Sequence, residues 1–360
     1  MTGGVHRVGM GGWLVRAGAE PDGLPDAGWV ELLGADGADL EALCRAADAV
    51  RRERVGDAIT YAVNRNLETG VVAADRRLLS ELVDEAWALG ATEICLQGAV
   101  PAEMPAEGYY ELIEAITHRE SRIHLHAFRP VEIEDAARRL AISPRAFLTA
   151  ARERGLGSVP GTGARILDDK IRAALTGGGD LPARRWIELI STAHVVGLRS
   201  TATMVYGHVE SPAQQVAHLR TLAQVQDSTA GFTELILMPI QRAQVPPSLS
   251  ARVRYAQPRE TRALHAVARL LLAGRIDHIQ AAWPKLGLTA TRQLLQGGAD
   301  DIGGILLDGE LRPSAGPEAG NSLSRADVEA LAVTLGRGVR QRTTLYGDPA
   351  AAVLGGVHRG

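Results

Sequence analysis

The sequence predicts a (β/α)8 barrel preceded by a helical N-terminal extension. Three observations carry this expectation: eight apolar runs of strand length, amphipathic helical stretches between them, and polar residues where the runs end. The runs are 58–63 (AITYAV), 93–97 (EICLQ), 122–128 (RIHLHAF), 157–160 (GSVP), 199–206 (RSTATMVY), 232–238 (FTELILM), 278–283 (HIQAAW) and 301–307 (DIGGILL). Strands that alternate with helices pair in parallel through right-handed crossovers. Eight such units close into a barrel, with a doubly wound open sheet as the competing topology.

Taken in order, residues 1–28 are rich in glycine and show neither a helical nor a strand period, so they are expected to form a mobile leader. Residues 29–57 form the helical extension. Within it Leu40, Leu43, Cys44, Ala47 and Val50 recur at spacings of three and four. Residues 58–347 are the barrel, with helical periods at 75–89, 144–154, 182–196, 212–227, 260–273 and 287–296. The RQRTTLYG segment at 340–347 is expected to close over the barrel in a structural role, and 348–360 is a tail.

Composition narrows the function classes. The chain has 360 residues, 46% of them hydrophobic, which suits one large core. A net charge of −3 argues against nucleic acid or an anionic membrane as partner, and aromatic residues at 4% argue against base-stacking platforms. Two cysteines, Cys44 and Cys95, do not make a disulfide framework and read as small buried apolar residues. No run approaches the ~20 apolar residues that span a bilayer. The first residues lack a basic-then-apolar signal pattern, so a cytoplasmic protein is expected.

In a barrel the C-terminal ends of the strands line the open mouth. Here those ends are polar: NRN at 64–66, QG at 97–98, HAF at 126–128, PGTG at 160–163, YGHVE at 206–210 and AAWPK at 281–285. A small-molecule ligand is expected there. The catalytic candidates are His208, Glu210, Tyr206 and His126. A histidine works as acid or base with a carboxylate to orient it, although YGHVE also reads as a loop-stabilising network. Ligand-binding candidates are Asn64, Arg65, Gln97, His124, Thr162, Arg165, Thr201, Thr203, Trp283, Lys285 and Asp301. Arg65 suits an anion or a salt bridge with Glu68 or a neighbouring strand, and Trp283 suits a pocket wall or core packing. His124 and His126 stand two apart on one strand face, so a divalent-metal hydrolase with His208 and Asp301 is an alternative to hydrogen-bonded interior histidines. Gly303 and Gly304 are a weak phosphate signal, because Asp300 and Asp301 repel an anion.

The strings AITYAVNRN, ATEICLQG, IHLHAF, GLGSVPGT, ILDDKIR, TAHVVGLRSTATMVYGHVESPAQQVAHLRTLAQVQDSTAGFTE, DHIQAAWPKLG, QGGADDIGG and RQRTTLYGD resemble one family over roughly residues 30–347. It is the radical S-adenosylmethionine (SAM) FO synthase family of deazaflavin biosynthesis, in its 5-amino-6-(D-ribitylamino)uracil–L-tyrosine 4-hydroxyphenyl transferase half. The resemblance implies a radical SAM barrel whose CxxxCxxC loop, after the first strand, holds a [4Fe–4S] cluster that binds SAM.

Several positions depart from that pattern. LETGVVAADRRLL runs from Leu67 into the next helix without the cysteine loop, and GAVPA at 98–102 stands for GGxHP. Arg165 stands where the resemblance implies a carboxylate facing SAM, and a guanidinium accepts no hydrogen bond. MPIQR at 238–242, Asp300 and GELRP at 309–313 also differ. From these departures the sequence is expected to carry no cofactor, with no [4Fe–4S] cluster and SAM unfavoured. Two functions follow: a non-radical enzyme that binds a small polar or aromatic metabolite at the mouth, or a binding and regulatory pseudoenzyme partnered with an active homologue. The parental transferase is the remaining alternative.

Overall fold

The computed structural model describes residues 9–305 and 322–349. Among these, ten strands form one sheet: β1 Ile59–Ala62, β2 Asn64–Glu68, β3 Glu93–Gln97, β4 His124–Ala127, β5 Ser158–Val159, β6 Arg199–Tyr206, β7 Phe232–Pro239, β8 Ile279–Ala281, β9 Asp301–Gly304 and β10 Val339–Arg342. Their order is β10-β1-β9-β8-β7-β6-β5-β4-β3-β2, and every pairing is parallel. Val63 alone separates β1 from β2. One bent strand therefore pairs with β9 and β10 through its first half and with β3 through its second, and the sheet curls on itself. The Thr92 N–H donates to Val63 O at 2.8 Å and the Ile305 N–H to Ala62 O at 3.0 Å, so both sides of the bend are tied. This is the α/β barrel architecture expected, with β2 and β10 added to the eight apolar runs.

The helices follow the local rules that the sequence obeys. In Arg76–Ala88, Asp75 accepts the Leu78 N–H at 2.9 Å as N-cap, and Leu79, Leu82, Val83 and Ala86 form the buried stripe. In Pro258–Leu271 ten residues are buried, because the helix lies between the barrel and the N-terminal extension. That extension is Gly37–Val55, capped by Asp36, together with Asp26–Leu33, whose Trp29 is fully buried. Among the described residues no helix is long and apolar enough to cross a membrane.

The stretch expected to be an aperiodic leader is corrected. Met10–Ala19 is a helix, Ala17 and Leu24 are buried, and Arg220 donates to Leu24 O at 2.6 Å. Arg275 bridges Asp22 and Asp227. The glycines hid a helix, and the segment that follows it is anchored by Arg220 and Arg275 from some two hundred residues away in the chain. Residues 1–8, the GELRP string and residues 350–360 lie outside the described residues.

The RQRTTLYG segment does more than close over the barrel. β10 adds beside β1 and sends Arg342 inward. Its Nε and Nη2 donate to the two carboxylate oxygens of Asp301 at 2.6 and 2.8 Å, and Nη2 reaches Glu234 at 3.2 Å. The Tyr346 hydroxyl donates to Glu234 at 2.9 Å, Thr60 to Asp301 at 2.5 Å and Thr344 to Glu93 at 2.5 Å. Breaking a buried ion pair from one side leaves a desolvated charge behind, which costs about 3–5 kcal/mol. Arg342→Ala is therefore expected to lower stability by about that amount in urea denaturation; a loss below about 1 kcal/mol, the range of an exposed pair, would show that the network is not what holds β10 in place.

Candidate functional site

At the C-terminal ends of the strands lies a cavity in two adjoining compartments. The outer one, of about 420 Å³, is lined by Gln97, Arg129, Arg165, Arg172, Asp180 and Trp186 among others. The inner one, of about 170 Å³, reaches Asn64, Asn66, Glu93, Glu234, Gln280 and Arg342. Cys95, His126, Thr162, Thr201, Ile236, Met238 and Lys285 line both. Strand alternation explains the wall: Glu93, Cys95 and Gln97 of β3 share one face, as do Glu234, Ile236 and Met238 of β7.

His126 stands where the compartments meet. Its Nδ1 lies 2.6 Å from Ser158 Oγ, which also lies 2.7 Å from His124 Nε2. A serine hydroxyl has one proton, so it donates to one imidazole and accepts from the other. The His126 Nε2 has no protein partner among the described residues. Burial pushes His126 down to about 4, with Glu93 acting in the opposite direction, so the ring is neutral at pH 7. Cys95 donates its thiol proton to Glu93 at 2.9 Å. At the rim, a Cβ on Gly161 would lie 1.9 Å from Thr201 O, so only glycine fits the PGTG turn. Thr201 Oγ1 accepts the Gly161 N–H and Thr203 donates to Gly161 O, both at 2.9 Å.

The structure thus brings Asn64, Gln97, His126, Thr162, Arg165, Thr201 and Lys285 to the cavity and separates the other candidates from it. Tyr206, His208 and Glu210 do not line it. Tyr206 faces away from Thr201 and Val205 because β6 alternates, and its hydroxyl donates to Thr261 at 3.3 Å. Glu210 accepts the Gly207 and His208 N–H groups at 2.7 and 2.9 Å and Gln215 at 2.8 Å. His208 Nε2 meets Val205 O at 3.0 Å, and its Nδ1 sits 2.9 Å from Glu210 in ion-pair range but off the line of a hydrogen bond. The trio is a loop network.

Arg65, between two cavity-facing asparagines, points the other way and pairs with Glu85 of the neighbouring helix, not with Glu68. Trp283 donates its indole N–H to Gly304 O at 2.9 Å and packs in the core. Thr203 is held by Gly161, Asp301 by Arg342, and His124 lies beneath His126. The hydrolase constellation is therefore not assembled, and no group of three or more His, Cys, Asp or Glu that could hold a metal occurs among the described residues.

Sequence reasoning missed Glu93, Cys95, Arg129, Asp180, Glu234, Gln280 and Arg342. For Glu93 and Cys95 the signal was available, since they precede Gln97 by steps of two. Arg129 and Asp180 come from loops, where no period operates.

No protein-family model matches the chain. It is 44% identical over 355 residues to an FO synthase of Nocardia farcinica and 43% identical over 354 residues to one of Mycobacterium tuberculosis H37Rv, covering 93% and 92% of this chain and 41% of each relative. The chain thus spans about two-fifths of these relatives. It is 35% identical over 318 residues to the 5-amino-6-(D-ribitylamino)uracil–L-tyrosine 4-hydroxyphenyl transferase of Archaeoglobus fulgidus, covering 84% of this chain and 92% of that protein. Among solved structures, methylornithine synthase covers 94% of this chain with a TM-score of 0.64 at 16% identity, and the FeFe-hydrogenase maturase HydG of Carboxydothermus hydrogenoformans covers 94% with 0.66 at 15%; these establish the fold.

The relatives correct the expectation of no cofactor. FO synthases at 43–44% identity over nearly the whole chain bring with them the cluster and SAM that the resemblance implies, and no finding marks this chain as a cofactor-free member. The residues described do not themselves match a three-thiolate set. β2 passes directly into the helix Thr69–Ala74, Cys95 faces the cavity, and Cys44 is buried in Gly37–Val55.

The floor of the cavity sets a pH dependence. Burial pushes the Glu234 carboxyl from its ordinary 4.5 up to about 7, against the pull of Arg342. The folded state then keeps a proton that the unfolded chain has released, so the associated stability is full below 4.5 and lost as pH rises to about 7. Burial pushes His126, His194 and His265 down to about 4 and His218 to about 3, and these oppose it by removing stability as pH falls below 6.5. Stability curves of wild type and Glu234→Gln separate the two: the wild type minus variant difference should fall from pH 4.5 to about 7 and level off above. A difference independent of pH would show that Glu234 titrates normally.

Proposed function

The chain belongs to the FO synthase family, among the tyrosine 4-hydroxyphenyl transferases, and from that premise we propose that its barrel cavity binds a small polar or aromatic metabolite and that His126 is the acid–base group acting on it. The observation that carries this is the buried imidazole with one nitrogen anchored on Ser158 and the other open to the cavity. A neutral imidazole so anchored takes up or delivers a proton at Nε2, while Ser158 and His124 adjust the tautomer. The inner compartment offers the amides of Asn64, Asn66 and Gln280, which suit the alternating donors and acceptors of a pyrimidine or a polyol. The substrates in the name of the A. fulgidus relative, a ribitylaminouracil and tyrosine, are of this class and are the ligands we assign to the cavity.

A second reading, binding of a homologous barrel as partner, is favoured by one fact: relatives at 43–44% identity are more than twice the length of the matched region.

Melting curves of the full chain with 5-amino-6-(D-ribitylamino)uracil and with L-tyrosine test the ligand reading. A rise in midpoint is expected. His126→Gln should weaken the response about tenfold, the loss of one hydrogen bond at about 1.4 kcal/mol. No rise with either compound sinks the reading, and co-purification with a second barrel protein would then favour the partner.

A further inference from the structure

The outer compartment has an imbalance of charge that the proposed acid–base role does not use. Three guanidiniums, of Arg129, Arg165 and Arg172, line it, against Asp180 as the acidic lining residue among those described. The three guanidiniums are not equivalent. Arg172 is engaged through all three nitrogens: Nε and Nη2 donate to Leu181 O at 2.9 and 2.5 Å, and Nη1 donates to Gly163 O and Ala164 O at 2.9 and 2.5 Å. Arg165 meets Asp180 through Nε, and its two terminal nitrogens have no protein partner among the described residues. Arg129 spends Nε and Nη2 on Glu132 and keeps Nη1. Arg165 also sits at φ +47°, in the left-handed region that side chains disfavour, so the turn holds it at the rim against local preference. His126 points its open nitrogen into the same space while more than nine-tenths buried.

We propose that the outer compartment binds an anionic group of the ligand, a carboxylate or a phosphate, held by the open N–H donors of Arg165 and Arg129. This rests on the ligand-site reading and deepens it, because it fixes the polarity of the ligand end remote from the amide-lined floor. The forked guanidinium matches the paired oxygens of either anion. Arg172, tied to backbone carbonyls, shapes the pocket and supplies field without a contact.

The test uses the full chain and two probes, inorganic phosphate and malonate, each against sodium chloride at matched ionic strength. The melting midpoint is expected to rise at millimolar phosphate or malonate above the chloride control, the stronger of the two naming the anion. Arg165→Gln should raise the half-saturating concentration at least tenfold. Asp180→Asn, which removes no donor and frees Arg165 Nε, should lower it. Equal responses to all three salts, a wild-type response in Arg165→Gln, or no tightening in Asp180→Asn overturns the site. A chain that binds the uracil or tyrosine but ignores both anions overturns this inference alone. One that answers the anions but binds no metabolite overturns the preceding reading alone.

Discussion

The Arg342 guanidinium, buried between Asp301 and Glu234, is the interaction on which the rest of the structure depends. It joins the C-terminal strand β10 to β9 and β7, and its neighbour Thr344 ties the same segment to Glu93 on β3. Four separate stretches of chain thus meet at the floor of the barrel. Burial raises the proton affinity of Glu234 against the pull of Arg342, and the neighbouring Asp301 and Glu93 carboxylates add to the rise. The segment that completes the barrel is therefore also the one that sets the protonation of the cavity floor.

Above that floor the cavity divides by chemistry. The inner part is rich in amides and buried carboxylates, the outer part in guanidiniums, and His126 stands between them with its tautomer linked to His124 through one serine hydroxyl. A ligand that spans both parts meets hydrogen-bond donors and acceptors at one end and positive charge at the other. The loop after β6, which a reading of residue types alone would select as catalytic, is instead closed on itself by the backbone N–H groups that Glu210 accepts.

Much of the architecture was legible. Seven of the apolar runs coincide with β1 and β3 to β8, and β9 takes up the first four residues of the last one. The wall residues of β3 and β7 were legible too, had the period of two been applied to charged residues as well as apolar ones. The same alternation turns Glu93 and Glu234 inward, where partner groups offset the cost of burying a carboxylate. The glycine-rich start misled because its helix packs on Asp26–Leu33 and Gly37–Val55, and the segment after it is held by Arg220 and Arg275.

What the sequence by itself determined is the set of local periods, and with them the alternation of strands and helices, the family, and the polar character of the strand ends. Helix stripes and strand faces depend on neighbours three, four or two residues away, so they are written locally. Only the tertiary structure decided which polar groups share a cavity. Arg342 with Asp301, Thr344 with Glu93 and His126 with Ser158 are contacts between distant positions. They arise because curling the sheet brings alternate faces of several strands to one interior, where burial and charge, not sequence spacing, choose the partners.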